Sequence, residues 1–196
     1  MLLKDRNALD EFRDLYKNAV DAQKKKILIC AGTGCVAGGS LKIYARLIEL
    51  LKEKGVDCVV SLADEPHDAD FHKGSVGVKR SGCHGFCEMG PLVRIEPGGL
   101  LYTKVKVEDC EEIVEKTIIG DEYIDRLAYK QNGVIYKQQE EIPFYKMQSR
   151  IVLEHCGHID ATSIQEYIAI GGYKAFEKAL FDMDGQEIVE EIQKSN

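Results

Sequence analysis

Apolar positions recur at helical spacing from the start of the chain. Leu9, Phe12, Tyr16, Ala19 and Val20 share one face of residues 2–23, with charges between them, and predict an amphipathic helix lying against the unit that follows. Ile27, Leu28 and Ile29 form a short apolar run that predicts a buried strand leading into Cys30. Ser40 is placed to cap a second helix, whose apolar face is Leu41, Tyr44, Leu47, Ile48 and Leu51 and whose end is Gly55. Val56 to Leu62 reads as the next strand. Strand, helix and strand with a short exit predict a βαβ crossover and parallel pairing.

Polar residues then take over from Ala63 to Gly74, with Pro66, His67 and His72, and predict a solvated surface loop. The alternation from Val76 to Arg80 predicts a strand leading into Cys83. Leu92 to Ile95 and Leu100 to Tyr102, joined through Pro97, Gly98 and Gly99, predict a β-hairpin. Residues 108–118 carry Ile113, Val114, Thr117 and Ile118 on one helical face. From Gly120 to Gln148 the periodicity loosens into polar clusters. Beyond it, Asp160 to Ser163 open a helix that breaks at Gly171 and Gly172, followed by another with Tyr173, Phe176, Ala179 and Leu180, and a last amphipathic stretch from Glu187 to Gln193. The predicted organisation is an N-terminal amphipathic helix over 1–24, an α/β domain over 25–120, a connecting arm over 121–150 and a mostly helical extension over 151–196.

Composition narrows what such a chain does. A length of 196 residues, 44% hydrophobic, is enough for one domain with a real core plus a smaller unit. The net charge of −7 argues against nucleic acid as a partner, because binding it calls for a basic stripe; the run Lys24 to Lys26 reads as a solvated helix end. No apolar stretch approaches the roughly 18 residues needed to cross a bilayer, and the start, Met1 to Arg6, lacks a signal peptide's apolar core. A cytoplasmic protein with no membrane insertion is the expectation.

Seven cysteines are an odd number without an export signal, which favours metal ligation over a disulfide framework. Four of them form two tight pairs, Cys30 with Cys35 and Cys83 with Cys87, each in a glycine-rich loop after a predicted strand. The glycines, Gly32, Gly34, Gly38 and Gly39 on one side and Gly82, Gly85 and Gly90 on the other, permit the close backbone approach by which N–H groups reach sulfur. The spacings, four and three intervening residues, point to a [2Fe–2S] cluster held by four thiolates. A structural zinc site is the main alternative, and a redox dithiol, which uses two intervening residues, a third. Cys58, Cys110 and Cys156 stand apart and read as inert structural thiols. His84 reads as a neighbour of the site or an exposed residue, and Arg80 and Arg94 as flanking charges that moderate an anionic centre or as solvated strand residues. Gly38-Gly39-Ser40 lacks the ending of a phosphate loop, and no nicotinamide or flavin motif is present.

The stretches from Cys30 to Ser40 and from Cys83 to Pro91 resemble the thioredoxin-like [2Fe–2S] ferredoxin domain, most closely the version at the N-terminus of the flavoprotein (diaphorase) subunit of NAD(P)-linked, electron-bifurcating [FeFe]-hydrogenases. The run from Arg150 to Gly157, Ser163 to Tyr167 and Gly171 to Phe176 resembles the lead-in to that subunit's FMN- and NADH-binding module. The resemblance spans about residues 25–196. It implies a thioredoxin-like α/β fold, Cys30, Cys35, Cys83 and Cys87 as cluster ligands, two per iron, and no catalytic residue in this chain. It further implies one-electron transfer to other iron–sulfur subunits of a hydrogenase or NADH dehydrogenase complex. FMN, NAD(P) and [4Fe–4S] centres are then expected only in the remainder of such a subunit, since the chain stops where the flavin loop would start. A stand-alone thioredoxin-like ferredoxin, and a non-catalytic assembly module holding zinc or no metal, are the competing expectations.

Overall fold

The computed structural model describes residues 5–62 and 72–195. Most of the loop expected over 63–74, with Pro66 and His67, lies outside the described residues. Helix α1 (Arg6–Asp21), capped by the Asp5 carboxylate accepting from Ala8 N, precedes strand β1 (Lys25–Cys30). A one-turn helix α2 (Thr33–Ala37) and helix α3 (Ser40–Glu53) lead to strand β2 (Cys58–Val59). Then come β3 (Val76–Ser81), β4 (Val93–Glu96) and β5 (Leu100–Tyr102). The five strands form one sheet in the order β2-β3-β1-β4-β5. β1 is central because its apolar run is buried on both faces, and it pairs parallel with β3 and antiparallel with β4. Leu47, Leu50 and Leu51 of α3 are fully buried in the core with Val76 and Val78; each such side chain contributes about 1.5–3 kcal/mol of burial free energy.

The α/β class, the N-terminal helix and the helical C-terminal region are all as expected. Some elements differ in extent. The strand expected over Val56 to Leu62 is only β2, because it is an edge strand whose ladder reaches no further than Cys58 opposite Val76 and Val59 opposite Gly77. The helix expected over 108–118 winds in three ways: a 3₁₀ turn Val107–Asp109, helix α4 (Cys110–Glu112) and a π-helical stretch Ile113–Ile119. Its expected face, Ile113, Val114, Thr117 and Ile118, is buried.

Residues 121–150 lie along the sheet. They carry a hairpin of β6 (Tyr129–Gln131) and β7 (Val134–Tyr136), then helix α5 (Pro143–Lys146). Their backbone runs beside β5: Leu101 N donates to Lys137 O at 2.9 Å and Thr103 N to Leu127 O at 2.8 Å. Ile124 and Leu127 enter the main core, and Ile142 and Tyr145 enter a second cluster with Cys30 and Cys35. The C-terminal helices are α6 (Ile164–Ala169), α7 (Lys174–Phe181) and α8 (Gly185–Ser195). α6 packs on α1 around Phe12, Tyr16, Ala19 and Ile168. Ion pairs from Arg6 to Glu177 at 2.5 Å and to Asp182 at 2.7 Å tie the start of α1 to α7 and the residue after it. Among the described residues, no helix is long and apolar enough to cross a membrane.

Candidate metal centre

Strand register explains why cysteine pairs from two separate stretches of the chain share one place. Cys30, the last residue of β1, lies opposite Ser81, the last of β3. Parallel neighbours run the same way, so both loops leave the same end of the sheet. Backbone bonds fix the exits: Ala31 N donates to Ser81 O at 2.9 Å, and Cys30 N to Leu92 O at 3.1 Å. The turn of α2 then presents Cys35, and a 3₁₀ turn, Cys87–Met89, presents Cys87. Cys30 and Cys35 are buried, whereas Cys83 and Cys87 are exposed, and none of the four is in a disulfide.

The loops make room for each other through missing side chains. A Cβ on Gly32 would lie 2.9 Å from Cys83 Sγ, and one on Gly90 would lie 2.6 Å from Cys35 Sγ. The first loop's glycine thus seats the second loop's cysteine, and the reverse holds at Gly90. Gly85 N donates to Cys83 Sγ at 3.3 Å.

The four thiols interact as linked pairs. The Cys35 thiol donates to Cys30 and, against the effect of burial, brings Cys30 down to about 6, helped by the N–H groups of His84 and Gly32 and by Cys83. Sharing that proton, and then burial, raise Cys35. Burial raises Cys83, with the Gly85 N–H acting the other way and Cys87 in contact. The Cys30–Cys35 pair therefore gives up its first proton below the usual thiol range and holds its second above it. Among the described residues, no three His, Cys, Asp or Glu side chains close on one point as the ligands of a single ion would. Soft thiolates in a glycine-lined hollow with backbone N–H donors suit iron–sulfur or zinc chemistry.

Of the two readings the sequence left for His84, the structure makes it a neighbour of the site, fully buried, and around it adds residues that the sequence pattern did not single out. The His84 Nε2 lies 2.9 Å from Ser81 Oγ, and its Nδ1 lies 3.0 Å from Gln139 Oε1. With the amide oxygen as acceptor, Nδ1 carries the proton and Nε2 accepts from the serine. Burial lowers His84 to about 4, so it is neutral. Arg150 Nη2 donates to His84 O at 2.8 Å. Phe86 of the second loop stacks on Phe144 with centroids 4.5 Å apart and meets Tyr145 edge-on. Gln139, Phe144 and Tyr145 come from a stretch without periodicity, and no spacing rule would have found them; Arg150 opens the run that resembles the flavoprotein lead-in.

The other sequence candidates fall elsewhere. Arg94 is buried, but its guanidinium pairs with Glu96 at 2.6 Å and Glu140 at 2.7 Å, the latter without hydrogen-bond alignment at Nη1. Arg80 is exposed, its guanidinium 5.8 Å from the Tyr44 ring centroid. Cys110 is fully buried in the core, where burial pushes its thiol up to about 12. Cys58 is half-buried on the edge strand. Cys156, also half-buried, lies beside the second loop, its Cα 3.7 Å from where a Cβ on Gly82 would stand.

Fold and site together define an α/β protein that gathers two cysteine pairs from two loops at one end of a mixed sheet. No protein-family model matches the chain. A curated protein described as a 2Fe–2S ferredoxin, from Clostridium pasteurianum, is 32% identical over 104 residues, covering 53% of this chain and 94% of that protein. Another of the same description, from Aquifex aeolicus, is 49% identical over 48 residues, 24% of this chain and 43% of that protein. Among solved structures, the wild-type thioredoxin-like [2Fe–2S] ferredoxin from Aquifex aeolicus aligns at 26% identity and a TM-score of 0.39, over 55% of this chain and 97% of that one. The chain belongs to the [2Fe–2S] ferredoxin family, on the strength of a match that spans nearly all of the Clostridium relative.

Proposed function

We propose that this chain is a one-electron carrier in which Cys30, Cys35, Cys83 and Cys87 hold a [2Fe–2S] cluster. The observation that carries the reading is the meeting of the two cysteine loops at the ends of adjacent parallel strands, each seated against a glycine of the other. When bound, such a cluster takes up and returns single electrons. The chain's own part is to supply four thiolates in linked pairs, N–H donors toward sulfur, and a wall of Phe86, Leu92 and Ile142 that excludes water from the buried pair. Exposure of Cys83 and Cys87 leaves the other pair facing solvent, where a redox partner docks.

Anaerobic purification should give brown protein with about two iron and two sulfide per chain and an EPR signal on one-electron reduction. Serine at Cys30, Cys35, Cys83 or Cys87 should abolish or alter that signal, while Cys58→Ser leaves it intact. Colourless protein with stoichiometric zinc would overturn the assignment.

The finer reading places this carrier in the flavoprotein subunit of an NAD(P)-linked hydrogenase or NADH dehydrogenase type complex, with FMN, NAD(P) and [4Fe–4S] centres outside residues 1–196. The resemblance of residues 150–176 to that subunit's lead-in supports it. So do the large apolar side chains that the C-terminal helices leave exposed, among them Phe176, Leu180 and Ile192. A stand-alone ferredoxin is favoured instead by the near-complete span of the Clostridium relative. Native complexes isolated through this chain separate the two: flavin content and reduction of the centre by NAD(P)H support the first, and a chain isolated alone and inert to NAD(P)H supports the second.

A further inference from the structure

One wall of the cysteine site comes from neither cysteine loop. Helix α5 turns Tyr145 into the apolar cluster that holds Cys30, Cys35, Phe86, Leu92 and Ile142. Its ring is fixed from several sides: edge-on to Phe86 with centroids 5.7 Å apart, edge-on to Phe144 at 5.2 Å, and beneath the Arg150 guanidinium at 5.3 Å. Only 9% of the residue is exposed, and its hydroxyl is buried without a hydrogen-bond partner among the described residues. Buried hydroxyls almost always find an acceptor, so one that lacks it calls for a reason. A phenylalanine would keep every ring contact and avoid the stranded group.

The place of the ring narrows the missing acceptor. Tyr145 shares its buried cluster with Cys30 and Cys35, and its edge-on neighbour Phe86 stands between Cys83 and Cys87 in the second loop, so the side chain packs where the two cysteine loops meet. Its surroundings agree with that place: burial raises the hydroxyl first, Arg150 acts to lower it, and Cys30 and Cys83 act to raise it. The [2Fe–2S] centre proposed there brings sulfur acceptors to a donor that otherwise has none.

We propose that the Tyr145 hydroxyl donates a hydrogen bond to a sulfur atom of the bound [2Fe–2S] centre and raises its reduction potential, with Arg150 and the Phe86–Phe144 stack as positioning groups. The inference rests on the assignment of Cys30, Cys35, Cys83 and Cys87 as ligands. Its physical basis is that the reduced centre carries one more negative charge than the oxidised one. A donor aimed at sulfur stabilises the reduced form more, and hydrogen bonds to the sulfurs are among the levers that set such potentials.

The test is Tyr145→Phe in the full chain with its centre loaded, read by redox titration followed by EPR. The expected result is an approximately tenfold shift of the one-electron equilibrium toward the oxidised form, a potential lower by about 59 mV, at unchanged iron content. Resonance Raman supplies an independent signature: iron–sulfur modes of the wild type that move in deuterated water should move less in the variant. Should Tyr145→Phe fail to load, 3-fluorotyrosine placed at position 145 decides, because its more acidic hydroxyl donates more strongly and should raise the potential. A loaded Tyr145→Phe protein with unchanged potential and deuterium shift overturns the role of Tyr145 alone, as does a 3-fluorotyrosine protein with no rise. A wild-type chain that holds no iron–sulfur centre overturns the ligand assignment beneath it.

Discussion

Gly90 lies where any larger residue meets Cys35. The Cβ of an alanine there would stand 2.6 Å from the Cys35 sulfur, and the Cβ of one at Gly32 would stand 2.9 Å from the Cys83 sulfur. Both approaches are closer than van der Waals contact allows, and packed interiors yield little. Gly90→Ala and Gly32→Ala should each lower iron content per chain by more than half, measured by metal analysis after anaerobic purification. Gly185→Ala, with open space around its added carbon, should leave it unchanged. Equal iron in all three proteins would show that the glycines play no part in seating the thiols. The cysteine pairs and their glycines were legible in the sequence because they are local patterns. Tyr145 and Gln139 were not, since each reaches the site across more than fifty positions and neither belongs to a repeat that marks a buried face.

At the scale of elements, the C-terminal extension is fastened to the cysteine-bearing sheet by a buried ion pair. Lys79 of β3 meets Glu166 of α6 at 2.7 Å, with both side chains almost wholly buried, and the other Glu166 oxygen accepts from Asp160 N at 2.8 Å. Removing one partner of such a pair strands a buried charge and costs about 3–5 kcal/mol. Lys79→Met should therefore lower stability by that order in urea denaturation, and Lys79→Met with Glu166→Gln should recover most of it. A single variant as stable as wild type would mean that α6 is held by its apolar contacts alone. Helix faces such as that of α3 were readable from their period. The short edge strand β2 was not, because an apolar run does not show how far a partner strand accompanies it. The arm over 121–150 was misleading for a related reason. Its buried residues, Ile124, Leu127, Ala128, Gln139, Ile142 and Tyr145, fall in short groups separated by polar residues and sustain no period.

For the molecule as a whole, stability should depend on pH through histidines that folding keeps neutral. Burial lowers His72, His158 and His84, the last to about 4. The unfolded chain takes up these protons near pH 6.5 and the folded one only at lower pH. Stability is therefore full above about 6.5 and falls as pH drops from there toward 4, with His84 alone accounting for about 3 kcal/mol across that window. The carboxylates of Glu112, Asp121, Glu177 and Asp182, lowered by their lysine and arginine partners, act in a separate window. Their contribution is present above the ordinary carboxylate range and is lost only as pH falls below it. Urea midpoints followed by circular dichroism from pH 7.5 to 4.5 should fall within the histidine window, and a flat profile there would refute the neutral burial of these rings.

Residues 127–128 and 137–139 bond along the outer side of β5, the last strand of the sheet. An uncovered strand of that kind is a template on which a second molecule can add its own. The stretch that walls the buried cysteine pair therefore also covers this edge of the sheet, while β2 forms the other edge. A change that lifted that stretch from β5 would uncover the Cys30–Cys35 pair and bare a strand edge at the same moment.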